Sequence, residues 1–332
     1  MLADKPITFE LSNGIKVVYM RQKAYVAHLG VMIHAGSRFE SEHEEGLAHF
    51  IEHAIFKGTT NREALDIFSD LDSVGGELNA YTNKEEICIH ASFRKSYFET
   101  AVDLLADITQ NANFPADEIE KEKEVILDEI ISYLDTPSER IFDEFDVALF
   151  NGHPLGRNTL GTKESINLFS PEKLSAYKEK WFRANNMILS FVGDIPLETI
   201  TKELQSKFGM IPGGLVDVTN HKIEDFNKFK IVEKKANFQT HTILGGRAPS
   251  YNDLDRKAMA LLINVLGGPA LNSRLNLSVR EKYGYAYNVE AGYSSYSDSG
   301  LWSIYLGTDL KYLSDAKDLV YKEIETIRTT EL

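Results

Sequence analysis

Cysteine is nearly absent. The 332 residues hold one, Cys88, so neither an internal disulfide nor a cysteine-ligated zinc site can form. Cys88 itself reads as a buried strand residue. Basic charge is also in deficit: 36 Lys and Arg face 50 Asp and Glu, for a formal net charge of −14. A chain this acidic is a poor ligand for nucleic-acid phosphates. The acid excess reads as a solubilising surface, with attraction of basic peptides as the sharper alternative. No apolar run reaches the length of a membrane span. The opening Met1-Leu-Ala-Asp-Lys-Pro has no basic stretch leading into an apolar one. No signal peptide is therefore expected, and a cytoplasmic location is the default. The rest is globular: 43% of residues are hydrophobic and 26% charged, enough apolar material for about two domains.

The turn Ser12-Asn13-Gly14 between alternating apolar runs predicts an N-terminal hairpin. A strand follows over Val26–His34. Helices are expected over Gly46–Lys57 and Arg62–Val74, then two strands within Glu77–Phe93. Further helices are expected over Tyr97–Asn111, Asp117–Tyr133, Ser138–Leu149 and Glu172–Phe182, and a strand over Asn186–Val192. A composition break at Ile211-Pro-Gly-Gly-Leu215 marks a linker over 211–228. Beyond it the pattern repeats loosely: a strand at Thr240–Leu244, a helix at Asp255–Leu266, a strand pair, and a helix at Leu313–Ile327. This is a tandem duplication with no short period. Domains are expected over 1–210 and 229–332, the second ending before the counterparts of the first domain's long acidic helix and last strand. The fold class is α/β of the α+β type, each domain packing helices on a mainly antiparallel sheet.

Two of the nine histidines stand four apart on a predicted helix, in His49-Phe50-Ile51-Glu52-His53. Positions i and i+4 share one helix face, so both imidazoles can converge on one ion at about 2.0–2.1 Å. Glu52 lies beside the pair, placed to accept a proton. Either histidine alone would read as a core residue. The string gains weight only with a third ligand from elsewhere. The acidic helix offers Glu122 and Glu129, seven apart on one face. Val125, Ile126 and Ile130 lie nearby, so that face meets the core. Glu120, Glu124 and Asp128 read as solvated charges.

The inverted H-x-x-E-H string, with Glu122 and Glu129 downstream, resembles the M16 family of zinc peptidases, the group of pitrilysin, insulin-degrading enzyme and the mitochondrial processing peptidase. Ala35-Gly-Ser-Arg38, Phe56-Lys-Gly-Thr59, Gly75-Gly76, Asn79-Ala80, His153-Pro154 and Val192-Gly-Asp194 look like its signatures, as do Ser273-Arg-Leu275 and Arg280-Glu-Lys-Tyr-Gly-Tyr-Ala-Tyr287. The resemblance implies one Zn²⁺ per chain on His49, His53 and Glu129, with Glu122 supporting the site and Glu52 as general base. It implies that an extended peptide adds to the strand carrying Asn79 and Ala80. Arg280 and Tyr287 would contact that peptide near the scissile bond; Tyr285 competes with Tyr287, which the spacing favours. It further implies a clamshell chamber completed by a second subunit, as a homodimer or as a heterodimer with a related chain. The second repeat carries Ile263-Asn-Val-Leu-Gly267 where the histidines would fall, so only the first domain should bind metal.

Three activities compete. A zinc endopeptidase acting on unfolded peptides or presequences fits the intact His49, Glu52, His53 and Glu129 set. A catalytically silent peptide-binding or scaffold subunit would share the fold. A zinc hydrolase of small molecules would have no use for the strand around Asn79-Ala80.

Overall fold

The computed structural model describes residues 5–218, 221–224, 228–235 and 238–329. The chain forms two compact units. Met1–Ile131 and Arg157–His221 make the first; Ser132–Gly156 and Lys222–Leu332 make the second. Among the described residues no helix is long and apolar enough to cross a membrane.

The first unit is built on strands β1 (Ile7–Glu10), β2 (Lys16–Arg21), β3 (Val26–Ile33), β4 (Glu77–Thr82), β5 (Ile87–Arg94) and β6 (Met187–Gly193). They form one sheet in the order β1-β2-β6-β3-β5-β4. Only β2 and β6 run parallel. Alternate residues point to one face, as the period of a strand requires: Ala27, Leu29, Val31 and Ile33 on β3, and Ile87, Ile89, Ala91 and Phe93 on β5, are all buried. The predicted hairpin turn is present, with Gly14 at φ +97°.

The helices are α1 (Leu47–Ala54), α2 (Ala64–Asp72), α3 (Phe98–Asn111), α4 (Ala116–Leu134), α5 (Pro137–Phe150), α6 (Lys163–Asn167), α7 (Pro171–Trp181) and α8 (Leu197–Phe208). Phe50 and Ile51 of α1, Leu104, Leu105 and Ile108 of α3, and Leu174 of α7 join the sheet's buried face in one core. Helix α8 is absent from the expectations above, although Ile200, Leu204 and Phe208 are buried at helical spacing.

Asp107 ties the segment after α1 to α3. It is 5% exposed and accepts from Thr59 Oγ1 at 2.7 Å, Asn61 Nδ2 at 2.6 Å, Arg62 Nη1 at 2.8 Å and Asn111 Nδ2 at 2.8 Å. Arg62 also holds Asp70 and Asp103. Neutralising Asp107 is expected to cost about 1–3 kcal/mol: Arg62 keeps Asp70 and Asp103, but Thr59, Asn61 and Asn111 lose a charged acceptor. Burial pulls the Asp107 carboxyl upward, but the donors from Asn111, Arg62, Thr59 and Asn61 hold it below its ordinary 3.8. The contribution is therefore complete above the unfolded-state value and lost as pH falls through the lower folded one. Urea unfolding of Asp107→Asn should show the full deficit at pH 7. The gap to the parent should close below a pH of about 3.8.

The second unit contains β7 (Thr240–Ala248), α9 (Arg256–Gly267), β8 (Ala286–Ser295), β9 (Gly300–Thr308) and α10 (Leu313–Thr329). Its sheet has the order β7-β9-β8, which repeats β3-β5-β4 of the first unit. In both units a single 3₁₀ turn leads from that strand pair into a long helix: Lys95–Tyr97 before α3, and Leu310–Tyr312 before α10. The duplication is thus visible in topology. Among the described residues the second sheet has three strands where the first has six.

The boundary between units differs from the single cut at 210. Residues 132–156, assigned by sequence to the first domain, lie with the second unit. The reason is the apolar face of α5: Phe145, Leu149 and Phe150 are buried with Leu155 and Leu301, and Ile243 packs alongside. The expected linker holds no helix or strand among its described residues. Positions 219, 220 and 225–227 of it lie outside them.

Candidate metal centre

Helix α1 is preceded by its N-cap residue Gly46, whose φ of +88° is left-handed; a Cβ there would lie 2.6 Å from the Leu160 carbonyl oxygen. From that start, His49 and His53 fall one turn apart with ring centroids at 4.6 Å. Helix α4 brings Glu129 to them. Glu129 Oε2 lies 3.8 Å from His49 Nε2 and 3.9 Å from His53 Nε2. Tetrahedral ligands about 2.1 Å from one zinc ion stand about 3.4 Å apart, so small side-chain shifts would close the three atoms on an ion. Among the described residues no other His, Cys, Asp or Glu group of three converges in this way.

The surroundings suit a cation. Two turns before Glu129 on α4, Glu122 is 3% exposed. It takes His53 Nδ1 at 2.7 Å and Lys57 Nζ at 2.5 Å. A carboxylate on Nδ1 turns Nε2 outward as a lone-pair donor, the usual support for a metal-binding imidazole. His49 Nδ1 is buried and has no hydrogen-bond partner among the described residues. Burial and the neighbouring His53 push the His49 imidazole down to about 4, so it is neutral and available as a ligand at neutral pH. Burial also pulls His53 down, but the hydrogen bond and charge of Glu122, with Glu129 and Glu52, leave it raised. Burial likewise works against ionised Glu122, and the bonds from His53 and Lys57 leave its carboxyl lowered.

Glu52 sits on α1 between the two histidines and outside the converging set. Burial raises its carboxyl, which moves a base toward the neutral range. The Thr82 hydroxyl donates to the Ala48 carbonyl oxygen at 3.4 Å and lies close enough to Glu52 to offset part of that rise. Sequence reasoning missed Thr82, because its approach to α1 depends on sheet-to-helix packing. It also missed Lys57, although four residues after His53 is one helical turn and the spacing offered a signal.

Asn79 and Ala80 lie on β4, at the end of the sheet. Among the described residues this strand pairs on one side only, with β5, and an unpaired edge is the place where an added strand can pair. Asn79 Oδ1 accepts the Ala80 N–H at 2.8 Å, so an incoming backbone must displace that bond to use the donor. Arg280 and Tyr287 are in the second unit. Arg280 is on a π-helical segment, Asn276–Lys282. Both line a cavity of about 450 Å³ with Asn276, Asn288, Glu290 and Tyr305. The register of β8 slips between Ala286 and Asn288, and Tyr287 is 79% exposed at the slip; such bulges re-aim a side chain. Tyr285 instead stacks between Tyr283 and Tyr312. In the second unit Ile263 and Leu266 of α9 are buried core residues.

Residues 16–163 match the family model described as insulinase, peptidase family M16. Residues 169–332 match the one described as the peptidase M16 inactive domain. An uncharacterized zinc protease of Rickettsia felis is 34% identical over 96% of this chain and 76% of its own length. The uncharacterized zinc protease YmxG of Bacillus subtilis is 32% identical over 96% of this chain and 78% of its own. Among solved structures, a peptidase M16 inactive domain from Pseudomonas fluorescens superposes with a TM-score of 0.87 at 22% identity, covering 99% of this chain and 80% of that one. A protease from Helicobacter pylori does so with 0.87 at 21%, covering 99% and 81%. The periplasmic protease PqqL of Escherichia coli gives 0.78 at 22%, covering 98% and 38%. At these identities the structures speak for the fold alone.

Proposed function

The chain belongs to peptidase family M16, and from that premise we propose that it is a zinc endopeptidase that hydrolyses extended, unfolded peptides. The observation that carries this reading is the convergence of His49 Nε2, His53 Nε2 and Glu129 Oε2, with Glu52 on the same helix as both histidines. Zinc held by those three side chains supplies Lewis acidity toward a carbonyl oxygen and lowers the pKa of water. Glu52 takes the proton of the attacking water at its carboxylate and returns it to the leaving amine. Glu122 keeps His53 turned toward the ion. The peptide pairs with β4 beside Asn79 and Ala80, an interaction of backbones that is largely blind to side chains. Arg280 and Tyr287 act on substrate in a chamber completed by a second subunit, where their donors face the developing oxyanion.

The test is cleavage of an unstructured peptide of about 25 residues, long enough to pair with an edge strand, by the purified chain, with zinc measured on the same sample. The expected result is one zinc per chain and cleavage that a chelator abolishes and added zinc restores. Zinc without cleavage supports the silent peptide-binding or scaffold subunit. A chain without zinc overturns the ligand set.

A further inference from the structure

Helix α1 carries three of the four groups on which the proposed activity rests, yet its N-cap residue has no side chain to cap it. Gly46 occupies the N-cap position, where Ser, Thr, Asp or Asn would normally accept a backbone N–H of the first turn. The Leu47 N–H finds the Glu44 carbonyl. The Ala48 N–H, one residue before His49, goes instead to a carboxylate from outside the helix. Glu40 Oε1 accepts it at 2.6 Å, and Glu40 Oε2 accepts the Gly46 N–H at 2.9 Å.

Glu40 is 3% exposed. Among the described residues no Lys or Arg side chain forms an ion pair with its carboxylate. Burial pushes that carboxyl up to about 8, against the pull of the two N–H donors. An unpaired buried acid is an expensive way to cap a helix. What it provides is direction: two oxygens on two donors, the Gly46 and Ala48 amides on either side of Leu47, fix both the position and the rotation of the first turn. The rest of the cap is clamped too. Arg157 donates to the Glu40 carbonyl at 2.7 Å and pairs with Glu45 at 3.3 Å. Ser165 donates to the Glu45 carbonyl at 2.6 Å. The far end of α1 is held by Glu122 through His53 and Lys57.

We propose that Glu40 is a positioning residue for the metal centre: by gripping the Gly46 and Ala48 amides it sets the rotation of α1 that aims His49 and Glu52. The inference rests on the zinc reading above and goes one layer further from the ion. Ligand placement to within about 0.5 Å decides whether a site binds its metal well.

The experiment compares the full-length parent, Glu40→Gln and Glu40→Asp, probed with Zn²⁺ and Co²⁺ alone. Gln keeps the size but turns one acceptor into a donor facing an N–H. Asp keeps the carboxyl group but is too short to hold both donors. Glu40→Gln is expected to weaken Zn²⁺ binding about 10- to 100-fold, to shift the visible absorption of the Co²⁺ form, and to speed amide exchange at Gly46 and Ala48 in the metal-free protein. Glu40→Asp should fall between. Parent-like Zn²⁺ affinity and Co²⁺ spectrum in Glu40→Gln, with only a lower Tm, would make Glu40 a stability residue and overturn the proposal. So would failure of both variants to fold. A parent that binds no zinc would overturn the metal reading itself, which the parent titration alone reveals.

Discussion

Glu52→Gln is expected to lower turnover of an unstructured peptide by about 10³-fold, or about 4 kcal/mol at the transition state, with zinc content unchanged. Gln has nearly the same volume and shape, so the helix and its surroundings stay as they are. The amide cannot take up the proton of the attacking water, and that is the whole of the loss. Because Glu52 stands outside the converging ligand set, the substitution leaves the ion's three protein partners in place. Single-turnover cleavage and metal analysis on one preparation check both halves. Turnover within a few-fold of the parent would remove Glu52 from the chemistry. Loss of zinc along with activity would make it part of the metal site.

The second large effect is expected from Glu122→Ala. Glu122 is buried, and both of its partners carry N–H groups: His53 Nδ1 at 2.7 Å and Lys57 Nζ at 2.5 Å. Removing it strands an ammonium and an imidazole N–H at a largely enclosed position. Breaking a buried pair in this way costs about 3–5 kcal/mol. The same change frees the His53 ring to rotate, so zinc affinity should fall about 10- to 100-fold. Glu122→Gln separates the two effects: the amide oxygen still accepts from His53, while the charge facing Lys57 is gone. Urea unfolding of the metal-free protein and competitive zinc titration are the measurements. A stability loss with zinc affinity intact would confine Glu122 to the fold.

Much of this site was legible in the chain because it is local. The spacing of His49, Glu52 and His53 sets their common face once Gly46–Lys57 is read as a helix, and Glu122 and Glu129 share a face by the same rule. The hairpin turn at Ser12-Asn13-Gly14 and the strands expected over Val26–His34 and within Glu77–Phe93 were likewise legible. What stayed hidden depends on contacts between distant segments. Glu40 reads as one more surface acid in an acidic stretch, and nothing in its neighbours says that a helix start will close over it. Thr82 meets Glu52 only because β4 lies beside α1. The division of the chain at 131 and 156 was hidden for the same reason: α5 has an ordinary amphipathic pattern, and its partners Ile243 and Leu301 stand far along the chain.

That placement of α5 bears on how the protein comes into being. A ribosome makes α5 well before β7 and β9, the strands that supply Ile243 and Leu301. During that interval Phe145, Leu149 and Phe150 have only the nearby Leu155 of their cluster, while residues 1–131 and 157–221 belong to a unit whose chain is already complete. The nascent chain thus carries an unsatisfied oily helix looped out of an otherwise folding body, a species open to chaperone capture or to self-association. Truncation anywhere in the linker makes that interim state permanent. A fragment of residues 1–210 would keep every proposed zinc ligand and still be prone to aggregate.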